Sequence, residues 1–185
     1  MSQATLIDGK ALAKSVTDAV ADISAKFAQD YGRAPGLAVM LVGEDAASQV
    51  YVRSKGRMAA KCGFHSVTVR QPADLSQADL LAKVHELNAD PLVDGILVQL
   101  PLPEQIQEQA ILDAIAPIKD VDAFHPENVG RIVQGRPRFL PCTPAGCLQL
   151  IQTVCPDTSG LHAVILGRSE IVGKPMAIML MQRGV

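Results

Sequence analysis

Tryptophan is absent from these 185 residues, and with two tyrosines and four phenylalanines the aromatic share is only 3%. A core must therefore be filled by Leu, Ile, Val, Ala and Met, which suits a parallel sheet covered by helices better than a β-sandwich. Charge of one sign is also lacking: the net charge is −2 and no basic run occurs. Without a basic stripe or aromatics to stack on bases, nucleic acid is excluded as a principal partner. No window approaches the roughly 18 uninterrupted apolar residues of a membrane span. Met1, Ser2, Gln3, Ala4 and Thr5 lack the basic-then-apolar pattern of a leader, so a cytoplasmic protein is expected. Cys62, Cys142, Cys147 and Cys155 form no C-x-x-C pair, and His65, His85, His125 and His162 are scattered. No metal site is expected, and the thiols read as reduced and structural.

What is present is a hydrophobic share of 48%, ample for a core, arranged as short apolar runs alternating with amphipathic stretches. Residues 37–42 read as a strand. A turn at Gly43, Glu44 and Asp45 leads into a helix over 46–61, ended by Gly63 in the left-handed position. Residues 67–69 read as a second strand, and Ser76 caps a helix striped by Leu80, Leu81, Val84 and Leu87. Residues 94–100 read as a third strand closed by Pro101 and Pro103, completing a βαβαβ unit. Ahead of it Asp8 caps a helix to about Phe27, with Leu12, Val16, Ala19, Val20 and Ile23 facing inward. After it Ile106, Ala110, Ile111, Ala114 and Ile115 mark another helix, stopped near Pro117.

Thr143 and Pro144 read as the cap and first residue of a bridging helix that stops at Pro156. Residues 163–166 then read as a buried strand, 167–174 as a loop, and Pro175 as the first residue of a Met-rich helix. One β-loop-α unit cannot bury both faces of its strand. The organisation expected is a three-layer α/β domain with a mostly parallel sheet over 1–140, a bridging helix over 141–158, and the start of a Rossmann-type domain over 159–185.

Chemistry concentrates at a few places. Tyr51 and Lys55 lie one above the other on a helix, with Ser48 a turn earlier, so one ligand can touch all three. Gln99 closes an apolar strand, and in open α/β sheets ligands sit beyond the carboxyl ends of strands, so the two segments are placed to converge. A lysine in a partly apolar cleft can act as base or acid, although a solvated surface lysine satisfies the spacing equally. Tyr51 also fits a packed ring with a satisfied hydroxyl. A buried Gln99 amide needs partners, for which a ligand or water is natural. In the segment Lys119, Asp120, Val121, Asp122, one carboxylate can face a pocket while the other faces solvent or Lys119, or both can simply form a turn. Residues 167–175, GRSEIVGKP, sit between strand and helix, where small residues and backbone N–H groups cradle phosphate. The run is neither G-x-G-x-x-G nor a Walker loop. A dinucleotide phosphate still suits it better than a plain turn, because Arg168 and Ser169 add charge and donors.

Taken together and in order, Tyr51-Val52-x-x-Lys55, the run DGILVQLPLP over 94–103, Pro117-x-Lys119-Asp120-Val121-Asp122, Pro141-Cys142-Thr143-Pro144-x-Gly146 and 167–175 resemble the bifunctional methylenetetrahydrofolate dehydrogenase/methenyltetrahydrofolate cyclohydrolase family. The resemblance covers essentially the whole chain, and the family is expected to continue for roughly another hundred residues to complete its dinucleotide-binding domain. It implies NADP-dependent oxidation of methylene-tetrahydrofolate, then hydrolysis of methenyl- to formyl-tetrahydrofolate, without a metal, in a cytoplasmic homodimer that serves purine biosynthesis.

By the same resemblance Lys55 is the main catalytic residue, Gln99 tunes and positions it, and Tyr51 orients the folate. Ser48, Leu100, Pro101 and Asp122 complete the substrate site, with Asp122 holding the pterin. Gly167, Arg168, Ser169, Ile171, Val172, Gly173 and Pro175 are the implied NADP contacts, with Arg168 toward the extra phosphate. One departure from the family pattern is Ala123 where glycine is usual, and Ala takes a positive φ less cheaply. The alternative function is a non-catalytic folate-binding or assembly module.

Overall fold

Residues Gly36–Val42 are almost wholly apolar and form β1, whose inner positions are buried on both faces. Such continuous burial is the pattern of a central parallel strand. In this computed structural model, which describes residues 4–185, β1 lies between β2 (His65–Gln71) and β3 (Gly95–Val98), and both pair with it in parallel. The register sets Ala38 against Val67 on one side and Ile96 on the other. Beyond β3 a single parallel bridge joins Ile96 to Asp120. α2 (Ala46–Lys61) connects β1 to β2, and α3 (Gln77–Ala89) connects β2 to β3 across β1; the right-handed rule for parallel crossovers assigns such helices to opposite faces. The expected parallel α/β architecture is thus found.

The chain divides into two compact units, residues 16–121 and residues 122–185 with those up to Ser15. In the first, Val39, Leu41, Val52 and Leu97 form a core with Leu37 and Val121 packed against it. Each such side chain contributes about 1.5–3 kcal/mol by leaving water. The 46–61 helix has the expected bounds; β2 is longer than expected and β3 shorter, its register with β1 running over Gly95–Val98 while Asp94 and Gln99 flank it with single hydrogen bonds to Gly36 O and Met40 O. Gly63 has φ +77, as its place after α2 requires. α4 (Glu108–Ala114) begins after Ile106, which is buried outside the helix.

α1 runs over Gly9–Tyr31, farther than Phe27, and Asp8 Oδ1 accepts from the N–H groups of Lys10 and Ala11. Its inward face differs from expectation. Val16, Ala19 and Ile23 are exposed, Ile23 by 68%, and Thr17 and Ser24 are buried instead. The reason is the close approach of α1 to α2: Thr17 Oγ1 lies 3.6 Å from Met58 Sδ, and Cys62 Sγ lies 3.7 Å from the Thr17 carbonyl. Small side chains permit that approach.

The second unit holds α5 (Pro126–Val133), α6 (Cys142–Val154) and α7 (Gly173–Met181), which share a core of Ala123, Ile132, Leu148, Met176, Met179 and Leu180. The α5 helix was not expected from periodicity. Its signal is His125 followed by Pro126 at the first helical position, and His125 Nδ1 accepts from the Glu127 N–H. α6 starts earlier than the Thr143 cap reading: Pro141 is the cap, and Pro144 sits within the first turn, where its missing N–H costs nothing. Pro175 is likewise inside the first turn of α7 and not its first residue. The buried strand expected over 163–166 is not formed, and Val164 and Leu166 are 78% and 96% exposed. A strand requires partners for its N–H and C=O groups, and no segment among the described residues pairs with this one.

Candidate functional site

The first constellation stands on α2 and the carboxyl end of β3. Asp45 caps α2, its Oδ1 accepting from the Ser48 N–H at 2.7 Å, and that hydrogen bond holds its carboxyl below the usual aspartate range. Ser48 is buried, Tyr51 exposed and Lys55 half-buried along one side of the helix. Gln99 leaves β3 with its backbone N–H donating to Met40 O at 3.0 Å, which fixes the residue to the sheet. Its Nε2 donates to Leu100 O at 2.7 Å, and its Oε1 accepts from Lys55 Nζ at 3.0 Å. The expected convergence of the two segments is therefore a direct contact. Each polar atom of the amide has a protein partner. One of three ammonium donors is spent on Gln99, leaving the others for a ligand. Leu100 is half-buried, Pro101 is exposed, and the peptide between them is cis.

At the other end of β3, Arg33 makes a bidentate pair with Asp94, at 2.6 and 2.7 Å, and Asp94 also accepts from the Gly36 N–H. Arg33 holds the Asp94 carboxyl below its ordinary range. This latch ties the starts of β1 and β3 and was not anticipated, since its partners are far apart in sequence. Lys119 Nζ donates to Leu87 O and Asp90 O, and Asp120 is buried, so Asp120 is not a carboxylate facing solvent.

In the second unit Asp122 is half-buried, with Cys142 Sγ 3.9 Å from its Oδ1. Ala123, directly after it, is buried and has φ +58, so this turn does adopt the left-handed geometry that glycine takes more cheaply. The 167–173 loop is closed on itself. Gly167 has φ +139, and a Cβ on Gly173 would stand 2.6 Å from Gly167 O. Ser169 Oγ accepts from the N–H groups of Val172 and Gly173, and Ser169 O accepts from Lys174 N–H. The first-turn N–H groups of α7 are thus satisfied by the loop, a correction to the expectation that they are free for phosphate. Arg168 and Ile171 are exposed, whereas Pro175 is buried. Among the described residues no cluster of His, Cys, Asp or Glu is arranged to hold a metal ion.

Residues 7–122 match the tetrahydrofolate dehydrogenase/cyclohydrolase catalytic domain, and 141–185 match the NAD(P)-binding domain of the same family. The chain belongs to the tetrahydrofolate dehydrogenase/cyclohydrolase family. Among its relatives, the bifunctional protein FolD of Rhodopirellula baltica is 58% identical over 97% of this chain and 62% of its own length. Among solved structures, the bifunctional FolD enzyme of Campylobacter jejuni superposes with TM-score 0.93 at 45% identity, over 97% of this chain and 64% of that one. The Trypanosoma brucei FolD, solved with NADP cofactor and inhibitor, gives TM-score 0.94 at 37% identity, over 99% of this chain and 63% of that one. The chain spans about three fifths of the length of the curated relatives it matches. The family's catalytic-domain match contains Tyr51, Lys55, Gln99 and Asp122, and its NAD(P)-binding match contains the glycine loop.

Proposed function

We propose that this chain handles one-carbon tetrahydrofolates, and that the whole protein oxidises methylene- to methenyl-tetrahydrofolate with NADP and hydrolyses the product to formyl-tetrahydrofolate. The observation that carries the reading is the Lys55 Nζ to Gln99 Oε1 hydrogen bond of 3.0 Å, made inside a family catalytic-domain match. In the hydrolytic step water adds to the methenyl carbon, the carbon–nitrogen bond opens, one water proton passes to the departing nitrogen, and the other is released to solvent as the cation becomes the neutral formyl product. Lys55 handles that proton. Gln99 acts through it, because an amide with Nε2 anchored on Leu100 O presents Oε1 in one direction only. Tyr51, exposed one turn before Lys55, offers a ring for the folate to lie along, and Ser48, Leu100 and Pro101 complete the surroundings. Asp122 supplies a carboxylate for the amino-substituted pterin.

NADP supplies a hydride acceptor when bound. The 167–173 loop fits its phosphates: Gly173 has no room for a Cβ, Gly167 needs its positive φ, and Arg168 is exposed with a guanidinium that pairs bidentately with phosphate. Because Ser169 Oγ already caps α7, we assign the charge recognition to Arg168 and give Ser169, Val172 and Gly173 the shaping of the loop, with Ile171 an exposed apolar contact. Pro175 is buried in the first turn of α7, directly after that loop in the chain. As part of the same proposal, the whole protein works in the cytoplasm as a homodimer that supplies purine synthesis.

The test follows loss of methenyl-tetrahydrofolate absorbance by the 185-residue chain, with and without NADP, beside Lys55→Met. Turnover reduced about 10²- to 10⁴-fold in the variant, with folate still bound, is expected. Equal turnover removes Lys55 from the mechanism. A folded chain that binds folate without turning it over acts as a binding module.

A further inference from the structure

Two opposite faces of α2 carry different chemistry. Ser48, Tyr51 and Lys55 share one. Val50, Arg53 and Arg57, at positions i, i+3 and i+7, share the other. This second face lies beside β2, from which Thr68 and Arg70, alternate residues of one strand face, reach the same space. Together with Val52 and Gly56 they line a groove of about 480 Å³. That volume is within the range of small-ligand clefts, roughly 300–1,000 Å³.

The charges in this groove are unbalanced. Arg33, Arg131 and Arg138 each pair with a carboxylate. Arg53, Arg57 and Arg70 have no carboxylate partner among the described residues, and no acidic residue lines the groove. Arg53 and Arg57 stand one helical turn apart, where like charges destabilise a helix, and Arg70 adds a third guanidinium from the strand. Gly56 is a second, independent sign. A Cβ there would meet nothing within 4 Å, so no close packing requires glycine inside this helix. Glycine weakens a helix interior, and what it provides here is open space on the groove floor.

An anion turns the repulsion among the guanidinium groups into attraction. Arginine forks match phosphate oxygens bidentately, and Thr68 adds a hydroxyl donor. A single carboxylate presents too few oxygens to engage three forks, whereas two linked phosphates present enough. We propose that the groove between α2 and β2 binds a small diphosphate-bearing anion, on the side of α2 opposite Lys55. This site is independent of the folate reading and of the 167–173 loop.

Isothermal titration of inorganic pyrophosphate into the 185-residue chain, in low-salt buffer free of other multivalent anions, tests it. One saturable site is expected that Arg53→Gln, Arg57→Gln and Arg70→Gln each weaken about tenfold, the loss of one charge-assisted contact. Arg136→Gln, in the other compact unit, should leave that affinity unchanged. Gly56→Leu should block binding while preserving the helical circular dichroism, and it carries the test if an arginine variant does not fold. Absence of a saturable site, the same affinity in Gly56→Leu, or binding of sulfate as tight as that of pyrophosphate, which marks an adventitious ion only, overturns the proposal.

Discussion

Residues 36–42 and 163–166 are both apolar runs that lead through a positive-φ glycine, Gly43 or Gly167, toward a helix. The first is β1, hydrogen-bonded on both sides. The second forms no strand and leaves Val164 and Leu166 in solvent. Their helices also start differently: α2 is capped by Asp45 immediately before it, whereas α7 depends on Ser169, reached across a closed loop. The same local pattern thus gives a rigid support for Gln99 in one place and a self-closed loop around Arg168 in the other. The difference lies in ladder partners, not in apolar content.

The largest effect should come from Gly36→Ala. The new Cβ would stand 1.7 Å from Leu92 O, and β1 cannot move away while both ladders and the Asp94 latch hold it. A loss of about 4 kcal/mol or more in urea unfolding is expected, at the upper end for single substitutions. Gly173→Ala brings its Cβ 2.6 Å from Gly167 O, but that loop is not pinned in a sheet, so about 1–2 kcal/mol is expected. The reverse order would break the comparison between pinned and unpinned glycines.

A smaller effect concerns the latch itself. Asp94 is held below the ordinary aspartate value of about 3.9 by Arg33, so its contribution is complete above that value and disappears as the pH falls through the lower folded one. Asp94→Asn should therefore lower the melting temperature near neutrality and converge with the parent chain in strong acid. A constant difference across that range would show that charge is not its source. The smallest effect is expected at Ala123→Gly. Relief of the φ +58 conformation, about 1–2 kcal/mol, is opposed by the lost buried methyl, about 0.8 kcal/mol, and by the greater freedom of unfolded glycine, about 0.5–1 kcal/mol. The net change should stay within about 1 kcal/mol by chemical denaturation, and a larger gain would mean that the turn is held under more strain than its φ implies.

Much of the 16–121 unit was legible. Asp45, the periodic stretch after it and Gly63 delimit α2, and the Tyr51, Lys55 and Gln99 segments could be placed near one another from helix spacing and the strand end. The hydrogen bond itself was not legible, because it depends on Gln99 Nε2 turning to Leu100 O. The Arg33–Asp94 pair escaped for a related reason: nothing local marks either residue as a partner. Periodicity chose the wrong face of α1, since it ranks side chains by hydropathy, whereas the α1–α2 contact selected the small Thr17 and Ser24. In the second unit, α5 was missed because a short helix leaves too few residues for a periodic signal.

The sequence by itself determined the alternation of apolar runs and amphipathic helices, the glycine and aspartate boundaries of α2, and the motifs of the family. Those are consequences of local backbone preference and spacing. Tertiary structure decided which apolar run became a strand, which face of α1 was buried, and that Lys55 meets Gln99 while Arg53, Arg57 and Arg70 surround a groove without a counter-charge. Hydrogen-bond ladders, close packing and side-chain contacts need a second segment, and a pattern read along one stretch of chain does not contain it.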